Sequence, residues 1–170
     1  CRAVEDLIRT NPVRATPLNA GRSKKLILTK DLLPQYFKAL KSLVNFELIA
    51  KAKLNFAHEA LFGVGAGCFD QILENTNCKI RTFNGDHDPN FGGICPEPIE
   101  KNYQISQAGL RSKPVDFCLV TDGDADRIGG MDGHGNALTT HQIISLLLQH
   151  YIVNRQGEGR GVKALTTTSM

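Results

Sequence analysis

A chain of 170 residues, 41% hydrophobic and 22% charged, can bury one domain's core and is not a disordered polymer. Its formal charge of +3 is small, and no Lys/Arg run is longer than Lys24-Lys25, so neither composition nor patterning points to a nucleic-acid partner. No stretch reaches the length of a membrane span and the N-terminus lacks a signal-peptide pattern, which argues against a membrane or secreted protein.

Residues 1–28 open with a short helical pattern (Val4, Leu7, Ile8), followed by a Pro- and Arg-containing stretch, Asn11 to Arg22, that reads as a linker. Asp31 then has the character of an N-cap. Pro34 sits in the first turn, and Leu33, Phe37, Leu40 and Leu43-Val44 form an apolar stripe whose expected role is core packing. Lys53 to Leu61 reads as a strand running into Gly63-Val64-Gly65-Ala66-Gly67, with a helix over roughly 68–75 behind it. The spacing is G-x-G-x-G and no G-K-[ST] follows, so a tight strand-to-helix turn is expected rather than a nucleotide loop.

Lys79 to Phe83 is a second strand, ended by Asn84-Gly85-Asp86. From His87 to Pro98, three prolines stiffen a loop in which Gly92-Gly93 permits unusual dihedrals, and a helix is expected from about Glu97 to Ser112. Val115 to Thr121 reads as a buried strand. Ile128 to Met131 and Ala137-Leu138 flank a hairpin turn at residues 132–136, and Thr139 or Thr140 caps an apolar helix through Tyr151. Val162 to Leu165 reads as a further strand. Alternating strands and helices predict an α/β fold: a three-layer sandwich with a mixed, mostly parallel sheet flanked by helices.

Five cysteines (Cys1, Cys68, Cys78, Cys95, Cys118) are widely spaced without a C-x-x-C pair. That argues against a zinc site or redox dithiol and for reduced thiols in a cytoplasmic protein. Chemistry concentrates instead at Asp122-Gly123-Asp124-Ala125-Asp126-Arg127, directly after the third strand. Three carboxylates at every second position, spaced by small residues, can converge on one point when the backbone curls. Alone they repel one another. A divalent cation reverses the sign, and a dense set of hard oxygen donors suits Mg²⁺, Mn²⁺ or Ca²⁺. Arg127 offers a planar fork suited to a phosphate that shares the metal. An EF-hand needs Gly at its sixth position and Glu at its twelfth, where this chain has Arg127 and Gly133. A solvated acidic turn is the remaining plain reading.

Asp122–Arg127 matches D-G-D-[AG]-D-R throughout, the metal-binding signature of the α-D-phosphohexomutase superfamily, which the chain therefore resembles. The stretches Asp88–Gly93 and Pro96–Asn102, the Gly63–Gly65 turn and the helix around Gln142–Leu148 resemble further parts of that family's second domain. The resemblance implies residues 1–28 as a tail from a preceding domain, 29–156 as domain II, and 157–170 as a linker with the first strand of domain III. It implies a four-domain enzyme (phosphoglucomutase or phosphomannomutase) that interconverts hexose 1-phosphate and hexose 6-phosphate through a phosphoserine and a bisphosphate intermediate. Mg²⁺ would be held by Asp122, Asp124 and Asp126, with Arg127 beside the phosphate. The expected partners are a phosphosugar and domains I, III and IV of the same chain, with no nucleic acid and no membrane.

No Ser-His pair of the family's serine loop occurs in the 170 residues, so no catalytic residue is expected here and the chain alone is expected to be inactive. Its start at Cys1 rather than Met fits a fragment. Where relatives carry His before the first glycine of the turn, this chain has Phe62. An aspartate-based phosphatase would need D-x-D-G-T, which Ala125 breaks; the alternative is a non-catalytic divalent-cation-binding α/β module. His134 is expected to face solvent, His87-Asp88 to belong to a stiff loop, and His58-Glu59 lacks the second His of H-E-x-x-H. Tyr36, Phe37, Tyr103 and Tyr151 are expected to pack rather than stack on sugars.

Overall fold

The computed structural model describes residues 2–12 and 15–154, so the expected strand at Val162–Leu165 and the expected segment 157–170 lie outside the described residues. The chain divides into two compact units, residues 1–43 and 44–170. The first holds α1 (Arg2–Thr10), α2 (Leu18–Ser23) and α3 (Leu33–Leu43). Two expectations need correction there. The segment expected as a linker contains α2, which starts behind Pro17 and lets Ile27 close on Gly21, the unit's one buried residue among those described. The α3 stripe forms a helix, with the Asp31 carboxylate accepting from the Leu33 N–H at 3.0 Å, but none of its residues is buried and only Phe37 and Leu40 are half-buried.

The second unit carries α4 (Phe46–Lys51), β1 (Asn55–Glu59), α5 (Cys68–Ile72), β2 (Lys79–Phe83), α6 (Gln104–Ser112), β3 (Phe117–Thr121), β4 (Ile128–Asp132), β5 (Ala137–Leu138) and α7 (Thr140–Asn154). The sheet order is β2-β1-β3-β4-β5. β1 pairs in parallel with β2 and β3, because α5 and α6 supply the crossovers that parallel neighbours need. The β3–β4–β5 meander is antiparallel, so β4 alone among the five runs against the rest. This is the mixed α/β sheet that the alternation predicts.

Side chains of β1 and β3 alternate between the two faces. Ala57, Cys118, Val120 and Met131 face a core completed by Leu61, Tyr103 and Leu110. On the opposite face Phe56 stacks on Phe117 at 5.1 Å, while Phe69 of α5 meets Phe56 and His58 edge-on at 5.7 and 4.9 Å. The strand starts are tied by Asp116, whose carboxylate accepts from the Asn55 N–H at 2.7 Å.

α6 begins at Gln104 rather than Glu97. Ile99 is extended (φ −122, ψ 146) and residues 100–102 make one 3₁₀ turn, so the two prolines end a loop instead of opening a helix. Tyr103, Ser106, Gln107 and Leu110 then form its buried face at helical spacing. α7 starts with a capping box: the Thr139 N–H donates to Gln142 Oε1 at 2.8 Å, and the Gln142 N–H to Thr139 Oγ1 at 3.3 Å. Among the described residues, no helix is long and apolar enough to cross a membrane.

Candidate functional site

β1 and β3 run parallel and end side by side, the position in an open α/β sheet where ligands gather. Beyond Thr121 the chain curls through residues 122–127 and returns into β4. The Ala125 N–H donates to the Asp122 carbonyl at 3.1 Å, and Ala125 takes φ +60 to make the turn. The curl brings together one carboxylate oxygen from each of Asp122, Asp124 and Asp126, all within 4.8 Å of one another. A common centre therefore lies within about 2.8 Å of all three, a few tenths of an ångström from Ca²⁺–O lengths and somewhat farther from Mg²⁺–O lengths. Small side-chain movements would close that gap, and two of the three carboxylates are exposed, so the donor set fits a hard divalent cation.

The three carboxylates are not equivalent. Asp122 is fully buried. Burial by itself would raise its pKa, but the Arg127 backbone N–H and guanidinium outweigh it and hold the carboxyl below the usual range. The contacts are explicit: Asp122 Oδ1 accepts from the Arg127 N–H at 3.0 Å, and Oδ2 from Nε and Nη2 at 2.9 and 2.8 Å. Asp124 is exposed and is pushed upward, first by the charge of Asp126. Arg127 Nε also reaches Asp126 Oδ1 at 3.2 Å, and Nη1 pairs with Glu97.

The Gly63–Gly67 turn packs against this loop. A Cβ at Gly63 would meet the Asp122 and Gly123 carbonyl oxygens at 2.7 Å each, so only glycine permits the approach. The Val64 N–H donates to the Gly123 carbonyl at 3.0 Å, and the Gly123 N–H to the Pro96 carbonyl at 3.1 Å. Leu61, Phe62, Phe91 and Ala125 all have left-handed φ, a concentration of backbone strain around one loop.

Several buried polar contacts near the site escape a reading of sequence. Glu59 is fully buried, with burial raising its pKa, and its carboxylate accepts from the Leu61 N–H at 2.9 Å and from the Asn84 amide at 3.0 Å. His58, on the other face of β1, is fully buried and lowered to about 4 by desolvation, with Nε2 at 2.9 Å from Thr121 Oγ1. The two point to opposite faces of β1, an interior strand buried on both faces, which alternation alone does not announce. His134 is exposed in a turn held by Asp132, and Asp88 accepts from the Asn90 and Gly92 N–H groups at 2.8 and 3.0 Å, so both are turn residues. Tyr103 lies in the core, whereas Tyr36 and Tyr151 are half exposed.

Residues 34–135 match the family model described as phosphoglucomutase/phosphomannomutase, alpha/beta/alpha domain II. A phosphopentomutase of Thermococcus kodakarensis is 28% identical over 145 residues, which are 85% of this chain and 31% of that protein. A probable phosphoglucosamine mutase of Methanosarcina acetivorans is 26% identical over 99 residues, 58% of this chain and 23% of its own length. The crystal structure of a putative phosphomannomutase from Thermus thermophilus superposes with a TM-score of 0.68 at 31% identity, covering 76% of this chain and 30% of that one. The chain thus spans a third or less of the curated relatives it matches.

Proposed function

The chain belongs to the phosphoglucomutase/phosphomannomutase family, over its α/β/α domain II, and from that premise we propose that it is the Mg²⁺-binding central domain of a phosphosugar mutase. The parent enzyme would interconvert hexose 1-phosphate and hexose 6-phosphate through a phosphoserine and a bisphosphate intermediate. The observation that carries the reading is the convergence of Asp122, Asp124 and Asp126 oxygens at the carboxyl end of β3. Relatives whose names carry different sugars share this segment, which supports a role in handling the phosphoryl group rather than in choosing the sugar.

In this reading each residue has a separable task. Asp122 is the buried, oriented ligand, locked by the Arg127 backbone and side chain. Asp124 and Asp126 are the exposed ligands that leave the outer face open to a phosphate oxygen. When bound, the cation would neutralise charge that develops on the transferred phosphoryl group. Arg127 lies beside the same face and would take a phosphate oxygen with guanidinium hydrogens its carboxylate partners leave unused. The Gly63–Gly67 turn supports the loop from beneath without supplying a ligand.

The partners in this reading are a phosphosugar and the family's domains I, III and IV, in a cytoplasmic enzyme. The 170 residues include no Ser-His pair, so in this reading the family's serine nucleophile is not among them and the chain alone would show cation binding without turnover. Calorimetric titration with Mg²⁺ and Ca²⁺ tests it. The expected result is weak one-site binding that Asp124→Asn abolishes, with no isomerisation of glucose 1-phosphate or mannose 1-phosphate. Equal heats from the variant, or turnover by the chain, would overturn the reading.

A further inference from the structure

Glu97 touches the acidic loop from 30 residues away in sequence, and its surroundings leave it little freedom. It lies between Pro96 and Pro98. The Pro96 carbonyl accepts from the Gly123 N–H at 3.1 Å, inside the acidic loop. The Glu97 carbonyl accepts from the Ile99 N–H and from the buried Asn102 amide, both at 2.8 Å, and that amide also donates to the Cys95 carbonyl at 2.7 Å. Residues 95–102 therefore form a braced strut ending in one carboxylate, and that carboxylate pairs with Arg127 Nη1.

A guanidinium is planar and rigid, so fixing one edge fixes the other. With Nη1 on Glu97, the Nε and Nη2 hydrogens fall on Asp122 Oδ2. We propose that Glu97 is a positioning residue: it pins Arg127 onto Asp122, the buried carboxylate, and so keeps Arg127 from settling over Asp124 and Asp126. The inference rests on reading Asp122–Arg127 as a cation site. An unpinned Arg127 could pivot about Nε, which already reaches Asp126, and its charge would then compete with the cation for the two exposed carboxylates. The competing explanation is an ordinary exposed ion pair, since the Arg127 and Glu97 side chains are 55% and 36% exposed, and such pairs contribute little.

Two measurements on the 170-residue chain separate the possibilities. One is Mn²⁺ affinity from water-proton relaxation; the other is the Nε–H resonance of Arg127 in the metal-free protein. Glu97→Ala is expected to weaken Mn²⁺ binding by about threefold or more and to move the Nε–H resonance towards that of a free arginine. Glu100→Gln removes a nearby carboxylate that does not touch Arg127, and is expected to change the affinity by less than about twofold. An unmoved Nε–H resonance, an unchanged affinity in Glu97→Ala, or an equal loss in Glu100→Gln overturns the inference while wild-type binding persists. A wild-type chain that binds no Mn²⁺ overturns the cation reading itself. Dispersed amide signals from β3 in each variant establish that it is folded.

Discussion

Adding one methyl group at Gly63 tests how tightly the glycine turn is fitted to the acidic loop. Gly63 is not among the residues with positive φ, so alanine meets no dihedral penalty there and its cost is steric. The new Cβ would lie 2.7 Å from the carbonyl oxygens of Asp122 and Gly123 and 2.9 Å from Gly123 Cα. All three are backbone atoms, and the loop is tied to its neighbours through Val64 and Pro96, so no side chain can rotate away to make room. Restoring ordinary contact requires the loop to move by about half an ångström, and the expected cost is about 2–3 kcal/mol, the upper part of the overpacking range.

Urea denaturation followed by circular dichroism reads this directly, with Gly93→Ala as the comparison. Gly93 has φ +77 and open space around it, so alanine there costs about 1 kcal/mol for backbone strain alone. Divalent-cation affinity should fall in Gly63→Ala and stay unchanged in Gly93→Ala, since only the first displaces Asp122 and Gly123. If Gly63→Ala is no costlier than Gly93→Ala and binds cations normally, the packing argument is wrong.

His58 predicts an acid-sensitive fold. Its folded pKa of about 4 lies below the ordinary 6.5, so between those values the unfolded chain takes up a proton that the folded chain refuses. Stability should therefore fall as pH drops through that window, by up to about 3 kcal/mol, and urea midpoints of His58→Gln should lose that slope. Asn84→Ala removes the side-chain donor to both oxygens of the buried Glu59. It is expected to cost about 2–3 kcal/mol by thermal or urea unfolding, and a neutral result would mean that the Leu61 N–H and the Ser106 hydroxyl suffice. Asp124→Asn, relieved of the charge of Asp126, should raise the unfolding midpoint in metal-free buffer at neutral pH and flatten its dependence on added Mg²⁺. The metal-free gain should vanish as pH falls through the raised Asp124 pKa, because protonation then gives the wild type the same relief.

The elements legible in sequence were those with strong local signals. β2 matched its expected limits, β3 and the hairpin strands came within a residue or two, and α7 began at its Thr139 cap because periodicity and turn chemistry agree there. Pro98 misled, since proline suits a first helical turn and a loop equally, and only the extended Ile99 with the Asn102 contacts decided for a loop. The α3 stripe shows that helical periodicity announces a face without saying what covers it. At the site, Asp122, Asp124, Asp126 and Arg127 were nominated by their spacing, their side-chain chemistry and the resemblance of the loop, because all four fall within six consecutive residues. Glu97, Asn84 and Thr121 were not, because their partners lie 30, 25 and 63 residues away and meet only through the sheet's crossovers.

Site-resolved broadening of backbone amide signals by substoichiometric Mn²⁺ tests most directly whether the loop after β3 holds a divalent ion. The expected pattern is selective loss of the signals from Gly123 to Arg127 and the neighbouring Gly63–Gly65, reversed by excess Mg²⁺ and absent in Asp124→Asn. Broadening spread evenly over exposed acidic residues such as Glu5, Glu47 and Glu74, or unchanged in the variant, would contradict it.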